Sequence, residues 1–280
     1  MTATANRPVL AGVDASAASF AAIRWAAQEA RWRDTTLRLL HACVFDSAPA
    51  HAHDDSELLL EHIYRWLRRA AEIAGEWAPG VRVETAVRLG LAADLLLAES
   101  VDAALVVLGS HGLGGLRGAL VGSVALRVAA GASCPVVVVP GHRPDLAGPV
   151  VVGVDPSEPS EHALRFALDE ATAVPAPVRV VHAYHDGTQS SGYELAELGA
   201  GERRDLEAHV APWVRKYPAL EITTQAVRDR SASRALLRAV PDARLIVVGT
   251  RGRGPVAGGV LGSTGNALLA HASCPVAVVH

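Results

Sequence analysis

The chain has 280 residues, enough for about two domains of ordinary size, with half of them hydrophobic and one fifth charged. That composition excludes a disordered chain, and a formal net charge of −3 gives no global attraction to nucleic acid or to an anionic membrane. Lys216 is the single lysine, which excludes a phosphate loop built on a lysine elsewhere.

The elements follow in chain order. An apolar run at 8–13 predicts a first strand. Ser16 is placed to cap a helix running to about residue 33, with Ala, Ile and Trp spaced for one buried face. LRLLHA at 37–42 predicts a second strand, followed by a polar loop and a helix over 55–77. VRVETAV at 81–87 alternates as a strand, and a short helix covers 91–99. ALVVLG at 104–109 does not alternate, so it predicts a strand buried on both faces. A glycine-rich loop, a helix over 119–131 and a proline-started strand at 135–139 complete the set.

The set then repeats. VLAGVDASAAS at 9–19 returns as VVVGVDPSEPS at 150–160, and LRLLHAC at 37–43 as VRVVHAY at 178–184. VVLGSHGLGG at 106–115 returns as VVGTRGRGP at 247–255, and GSVALRVAAGASCPVVVV at 122–139 as GSTGNALLAHASCPVAVV at 262–279. The offset is 141 at Asp14/Asp155 and His41/His182, and 140 at Gly109/Gly249, Ser123/Ser263 and Cys134/Cys274, so one net deletion lies between the second and fourth strands. This is a duplicated domain and not a short-period solenoid. The Pro- and Gly-rich stretch PGHRPDLAGP at 140–149 is the expected boundary, giving domain 1 over 1–140, a linker over 141–148 and domain 2 over 149–280. Strictly alternating βα units predict an α/β fold: two tandem open-sheet domains, each a five-stranded parallel sheet with helices on both faces.

The residues that carry chemistry sit in two glycine loops. Gly109-Ser110-His111-Gly112 is followed after nine residues by Gly122-Ser123, and Gly249-Thr250-Arg251-Gly252 after nine residues by Gly262-Ser263. Each loop leaves a buried strand and runs toward a helix N-terminus. Glycines admit close backbone approach, and unpaired N–H groups with the helix dipole favour an anion there. The alternative is a flexible glycine turn. Gly12-Val13-Asp14 and Gly153-Val154-Asp155 end the first strand of each half. These acids suit either a helix-capping turn or acceptance from a ribose or base. If the first and fourth strands flank the reversal of strand order, Asp14 faces Gly109 across one crevice. On this reading Asp14 and Gly109 serve binding and not folding.

Together GVDAS and GVDPS, the strand-end His-Ala pairs, both glycine loops and the closing SCPV strands resemble the universal stress protein family in its tandem form, over nearly the whole chain. The resemblance implies strand order 3-2-1-4-5 and ATP held in the crevice of the family's nucleotide-binding branch, with Mg2+ allowed on the phosphates. It implies that Gly12, Asp14, Gly153 and Asp155 lie against the adenosine part, and that Ala42 and Ala183 offer backbone to adenine. Gly109, Ser110, His111, Gly112, Leu113, Gly114 and Gly115 would line the ribose and phosphates. Gly249, Thr250, Arg251, Gly252, Arg253, Gly254 and Pro255 would do so in the second half. Gly122, Ser123 and Val124, with Gly262, Ser263, Thr264 and Gly265, would close on the phosphates. Two departures stand out. Arg228-Asp229-Arg230-Ser231 replaces Arg88-Leu89-Gly90, and Pro255 replaces Gly115.

Other readings are weaker. Gly252-x-Gly254-x-x-Ala257 matches a dinucleotide fingerprint but follows the fourth strand, and half one has Arg117 at its last position. His51, His53, Asp54 and Asp55 lie in one polar loop without a counterpart in the other half, so a metal site is not expected. His41 and His182 read as structural or as pocket walls, and Cys134 and Cys274 as core. Three cysteines make no disulfide framework, and MTATANRPVLAGVD has no signal-peptide pattern, so a cytoplasmic location is expected. No apolar run approaches the ~20 residues of a membrane span, so no membrane partner is expected either. The expected protein is not an enzyme but an ATP-dependent regulatory or stress-response switch, one nucleotide per domain, read by a protein partner the sequence does not identify. A slow ATPase or phosphotransferase is the alternative. The uncharged fifth strands, Val136–Val139 and Val276–Val279, predict pairing of the two halves within the chain, and a homodimer is allowed.

Overall fold

In the computed structural model, which describes residues 7–44, 52–112, 121–141, 147–185, 192–239, 243–250 and 261–280, each apolar run becomes a strand. The chain divides into two compact units, Met1–His142 and Arg143–His280.

The first unit runs β1 (Val9–Gly12), α1 (Ala17–Trp32), β2 (Thr36–Cys43), α2 (Ala52–Trp77), β3 (Arg82–Leu89), α3 (Ala92–Glu99), β4 (Leu105–Gly109), α4 (Ser123–Gly131) and β5 (Val136–Val139). Its sheet is parallel, in the order β3-β2-β1-β4-β5. Between β1 and β4 the chain order reverses, and Gly12 pairs with Leu40 on one side and Leu108 on the other. Burial explains the missing alternation in the central strands: Val9, Ala11, Leu105, Val106 and Val107 are fully enclosed, with helices packed on both faces. α1 meets the sheet through small residues, Ala18, Ala22, Ala26 and Ala30, which let its backbone approach closely.

The second unit runs β6 (Val150–Gly153), α5 (Glu158–Ala173), β7 (Val178–Tyr184), α6 (Gly192–Lys216), β8 (Ile222–Arg228), α7 (Ala232–Ala239), β9 (Leu245–Gly249), α8 (Ser263–His271) and β10 (Val276–Val279). Its parallel order is β8-β7-β6-β9-β10, the same topology. The registers resolve the net deletion into two events. Leu37 pairs with Val83 and its counterpart Val178 with Ile222, so the offset falls from 141 to 139 before the third strand. It returns to 140 at α3 and α7, because one extra residue enters between β8 and α7.

The fourth helix of the first half starts later than the sequence pattern predicts, at Ser123 and not at 119. Gly122 donates its N–H to the Ser110 carbonyl (2.7 Å), which turns the chain away from the helix axis until Ser123. Residues 119 and 120 lie outside the described residues, as do most of the linker, the His51 position, Arg117 and Ala257. The side chains of His53, Asp54 and Asp55 are likewise undescribed. All three cysteines are free thiols, and burial pushes the Cys134 thiol up to about 12, in keeping with its core position. Among the described residues no helix is long and apolar enough to cross a membrane.

Candidate functional site

The tip of β1 is fixed first. Val13 donates its N–H to the Leu40 carbonyl (2.9 Å), and the His41 ring bonds the Val13 carbonyl through Nδ1 (2.9 Å). A carbonyl only accepts, so Nδ1 carries the proton. His41 is thus a tether for the strand tip, and it packs on Trp66 instead of lining the crevice.

Asp14 follows the tether. Its Oδ1 accepts from the Ser16 N–H (3.1 Å) and from the Ser16 hydroxyl (2.5 Å). Ser16 in turn accepts from the Ser19 N–H (3.1 Å), capping α1. The capping turn and the crevice position are therefore both real: one carboxylate oxygen holds the helix start while the other faces the glycine loop. A methyl added at Gly112 would sit 2.5 Å from Asp14 Oδ2, so any side chain there would push the carboxylate out of its place. The Ser16 hydroxyl also lies 3.2 Å from the His111 carbonyl, joining the loop to the cap.

The loop leaves β4 at Gly109 and is pinned at its stem by the bond from Gly122 to Ser110. Beyond it α4 begins with a glycine at the cap position, and among the described residues no side chain caps its first N–H groups. A helix whose opening N–H groups lack a side-chain acceptor offers them to an anion, and the dipole adds to the attraction. Ser123, Val124 and Ala125 bring that helix start to the wall of a crevice of about 330 Å³.

Of the residues expected there, the crevice gathers Gly12, Asp14, Ala42, Gly109, His111, Gly112, Gly122, Ser123 and Val124. Ser110 is buried behind the wall, its hydroxyl 2.9 Å from His111 Nδ1. Leu113, Gly114 and Gly115 lie outside the described residues. The sequence reading omitted the apolar end, formed by Leu40, Ala92, Leu96 and Leu108. The one signal for it was the spacing of Ala92 and Leu96 on a single face of α3.

Gly109 lines the crevice as expected, but the expectation that it does not serve folding fails. A methyl there would lie 2.7 Å from the Ala18 backbone carbon and 2.9 Å from its oxygen. Gly109 therefore lets α1 pack on β4, and its first duty is to folding. Gly249 repeats this against Pro159, at 2.9 Å.

The second half repeats the frame. Val154 bonds the Val181 carbonyl (2.9 Å), His182 Nδ1 bonds the Val154 carbonyl (2.8 Å), and Gly262 bonds the Thr250 carbonyl (2.9 Å). Asp155 accepts from the Ser157 hydroxyl, Ala183 follows the tether on β7, and α8 opens at Ser263, Thr264 and Gly265 without a side-chain cap. Arg251, Gly252, Arg253, Gly254 and Pro255 lie outside the described residues.

A parallel sheet whose order reverses beside an acid-tipped strand and a glycine-stemmed helix start defines an α/β protein with a crevice at the switch point, where folds of this kind place their ligands. Comparison with known proteins gives the lineage. The model of the universal stress protein family matches twice, over residues 5–140 and 147–280. A universal stress protein of Mycobacterium tuberculosis H37Rv is 33% identical over 96% of this chain and 95% of its own length. One from Mycolicibacterium smegmatis is 34% identical over 97% and 96%. The crystal structure of a universal stress protein from Archaeoglobus fulgidus shares the fold, with a TM-score of 0.71 at 20% identity over 98% of this chain and 96% of that one. The chain belongs to the universal stress protein family, as a tandem of two such domains.

Proposed function

We propose that the chain binds ATP in each half and acts as a nucleotide-dependent regulatory switch of the cytoplasm. The observation that carries this reading is the crevice of the first half, where Asp14, Gly112 and the uncapped start of α4 converge beside an apolar end. The base lies against Leu40, Ala42, Ala92 and Leu96. The ribose reaches Asp14, and the phosphates meet the backbone of Gly109–Gly112 and the N–H groups of Ser123–Ala125. Mg2+ is compatible with the Asp14 carboxylate and the Ser123 hydroxyl as oxygen donors, with the phosphates as its main ligands. Binding orders the glycine loop, and a partner reads the ordered surface. The pairing of the two fifth strands belongs to the same proposal and rests on their uncharged, wholly apolar sequence.

A binding role is favoured over turnover by where the lysine lies. Lys216 closes α6, its Nζ 5.1 Å from the Trp213 ring and 5.3 Å from the Tyr217 ring, and among the described residues it meets neither glycine loop. Calorimetric titration of nucleotide-stripped protein with ATP tests the proposal. Two equivalents are expected. Saturation at one would restrict binding to a single half, and no binding would leave a scaffold.

A further inference from the structure

The connection after the third strand differs between the halves in the sign of its charge. In the first half, Leu89–Glu99 carries no basic residue and two acids, Asp94 and Glu99. Asp94 pairs with Arg127, and Glu99 pairs with Arg38 (3.4 Å) and Arg88 (3.7 Å), while Glu84 also reaches Arg38 (3.3 Å). In the second half, Arg228–Ala239 carries four arginines, 228, 230, 234 and 238, and one acid, Asp229. By register, Thr223 stands where Glu84 does. By position in the third helix, Arg234 stands where Asp94 does and Ala239 where Glu99 does.

This exchange works against the helix. Arg234 lies in the first turn of α7, which the helix dipole reserves for acids, and α7 has none there. Asp229 compensates. Arg234 Nε donates to both of its oxygens (2.8 and 3.1 Å), and Nη2 adds a third bond at 2.5 Å. Arg238 stands 3.9 Å from the same carboxylate yet keeps 74% of its side chain exposed, and Arg234 keeps 53%. Arg238 lies in the last turn, where the dipole favours a cation, so only the Arg234 position opposes the helix. Four arginines gathered on one connection, in a chain of net charge −3, still form a basic surface that the first half lacks.

We infer that the exposed arginines of the β8–α7 connection and of α7 form a docking surface for an acidic protein segment, one that presents carboxylates to Arg230 and Arg238. Arg234 is engaged by Asp229 through Nε and Nη2, which leaves Arg230 and Arg238 as the exposed guanidinium groups for a partner's carboxylates. Nucleic acid fits less well. α7 has eight residues, about 12 Å of helix, too short for the ~6–10 phosphate contacts of a typical duplex binder.

The test uses the full chain with fluorescein-labelled octaglutamate and, separately, labelled octathymidylate, read by anisotropy at about 50 mM salt, where exposed charges are weakly screened. Three forms are compared: the unaltered chain, Arg230→Glu/Arg238→Glu, and Arg203→Glu/Arg204→Glu, which reverses two exposed charges on α6. Asp229 and Arg234 are left intact, and thermal melts verify folding. If the glutamate pair fails that check, Arg230→Gln/Arg238→Gln replaces it. Octaglutamate is expected to bind the unaltered chain saturably and about tenfold more weakly when 230 and 238 are changed, with little change for 203 and 204. No saturable binding up to ~1 mM, or equal weakening by both pairs, overturns the inference. Tighter binding of octathymidylate overturns it in favour of a nucleic-acid surface.

Discussion

The two halves agree where the ligand frame is built and disagree just outside it. The tether from the second-strand histidine to the first-strand tip is 2.9 Å in one half and 2.8 Å in the other. The loop-stem bond is 2.7 and 2.9 Å, and the bond from the first-strand acid's N–H to the serine five residues on is 3.0 and 2.9 Å. Even the guanidinium stacked on the outer helix recurs, Arg24 over Trp77 and Arg165 over Trp213. The rim has diverged: Leu89 and Leu91 are exposed in the first half where arginines and Asp229 stand in the second. The hydrogen bonds that shape the strand tip and loop stem are the same in both halves, and the exposed rim is what differs.

The largest effect that would break this equivalence comes from the glycines, which look alike in sequence and differ in duty. Gly109→Ala forces a methyl into the Ala18 backbone, and Gly249→Ala into Pro159. Each is expected to cost about 1–3 kcal/mol, as overpacking does, read as a lower urea midpoint for the half concerned. Trp213 is the one tryptophan of the second half, so its fluorescence against that of Trp25, Trp32, Trp66 and Trp77 separates the two transitions. Gly112→Ala instead pushes on the Asp14 carboxylate and should lower ATP affinity with little shift in the midpoint.

Next in size is the acid at the strand tip. Asp14→Asn keeps an oxygen for the Ser16 N–H but loses the charge. A charge-assisted bond to the ribose is worth about 1.5–3 kcal/mol, so ATP affinity in the first half should fall at least about tenfold while the melt of stripped protein stays put. Asp14→Ala should do both, weakening binding and loosening the α1 cap. If Asn matches the unaltered protein in calorimetry, the carboxylate serves the helix alone.

The caps give a smaller and sharper contrast. Ser16 accepts from the Ser19 N–H, whereas Ser157 caps α5 without a side-chain bond. Ser16→Ala should therefore cost about 1 kcal/mol and Ser157→Ala clearly less, by urea unfolding. Equal losses would mean the two helix starts are equivalent in solution.

How much of this was open to a reader of the sequence follows from what each signal measures. Element type and order came from apolar periodicity and from the repeat, because burial on one or both faces writes itself into residue pattern. The loops were found through paired glycine spacings. The late start of α4 was hidden, since only the bond from Gly122 to Ser110 delays it. So was the packing duty of Gly109, which depends on how closely α1 crosses β4. Leu40, Leu96 and Leu108 are buried like any core residue, and only the reversal of strand order opens a crevice beside them, which periodicity does not record.

The smallest expected effect concerns Asp229, which occupies the place of Gly90. Both follow the third strand and donate their N–H to the end of the second, Gly90 to Cys43 and Asp229 to Tyr184. Gly90 has φ +138°, a conformation side chains rarely adopt, and the extra residue in the second half removes that demand. The hydrogen bond from Arg234, with that from the Ser231 N–H, lowers the Asp229 carboxyl to about 2. A carboxyl depressed in the folded state stabilises the fold above its unfolded value near 3.9, and the contribution is lost as pH falls toward 2. The arginines that hold it are largely exposed, so water screens the pair and the contribution is small. Acid unfolding followed through Trp213 between about pH 5 and 2 should show it. Asp229→Asn should flatten the acid dependence of the second half, leave its neutral-pH midpoint nearly unchanged, and leave the first half's acid limb untouched. An unaltered acid limb for the second half would mean that Arg234 and Asp229 part in solution, and Arg234 and Arg238 would then lack the carboxylate they share.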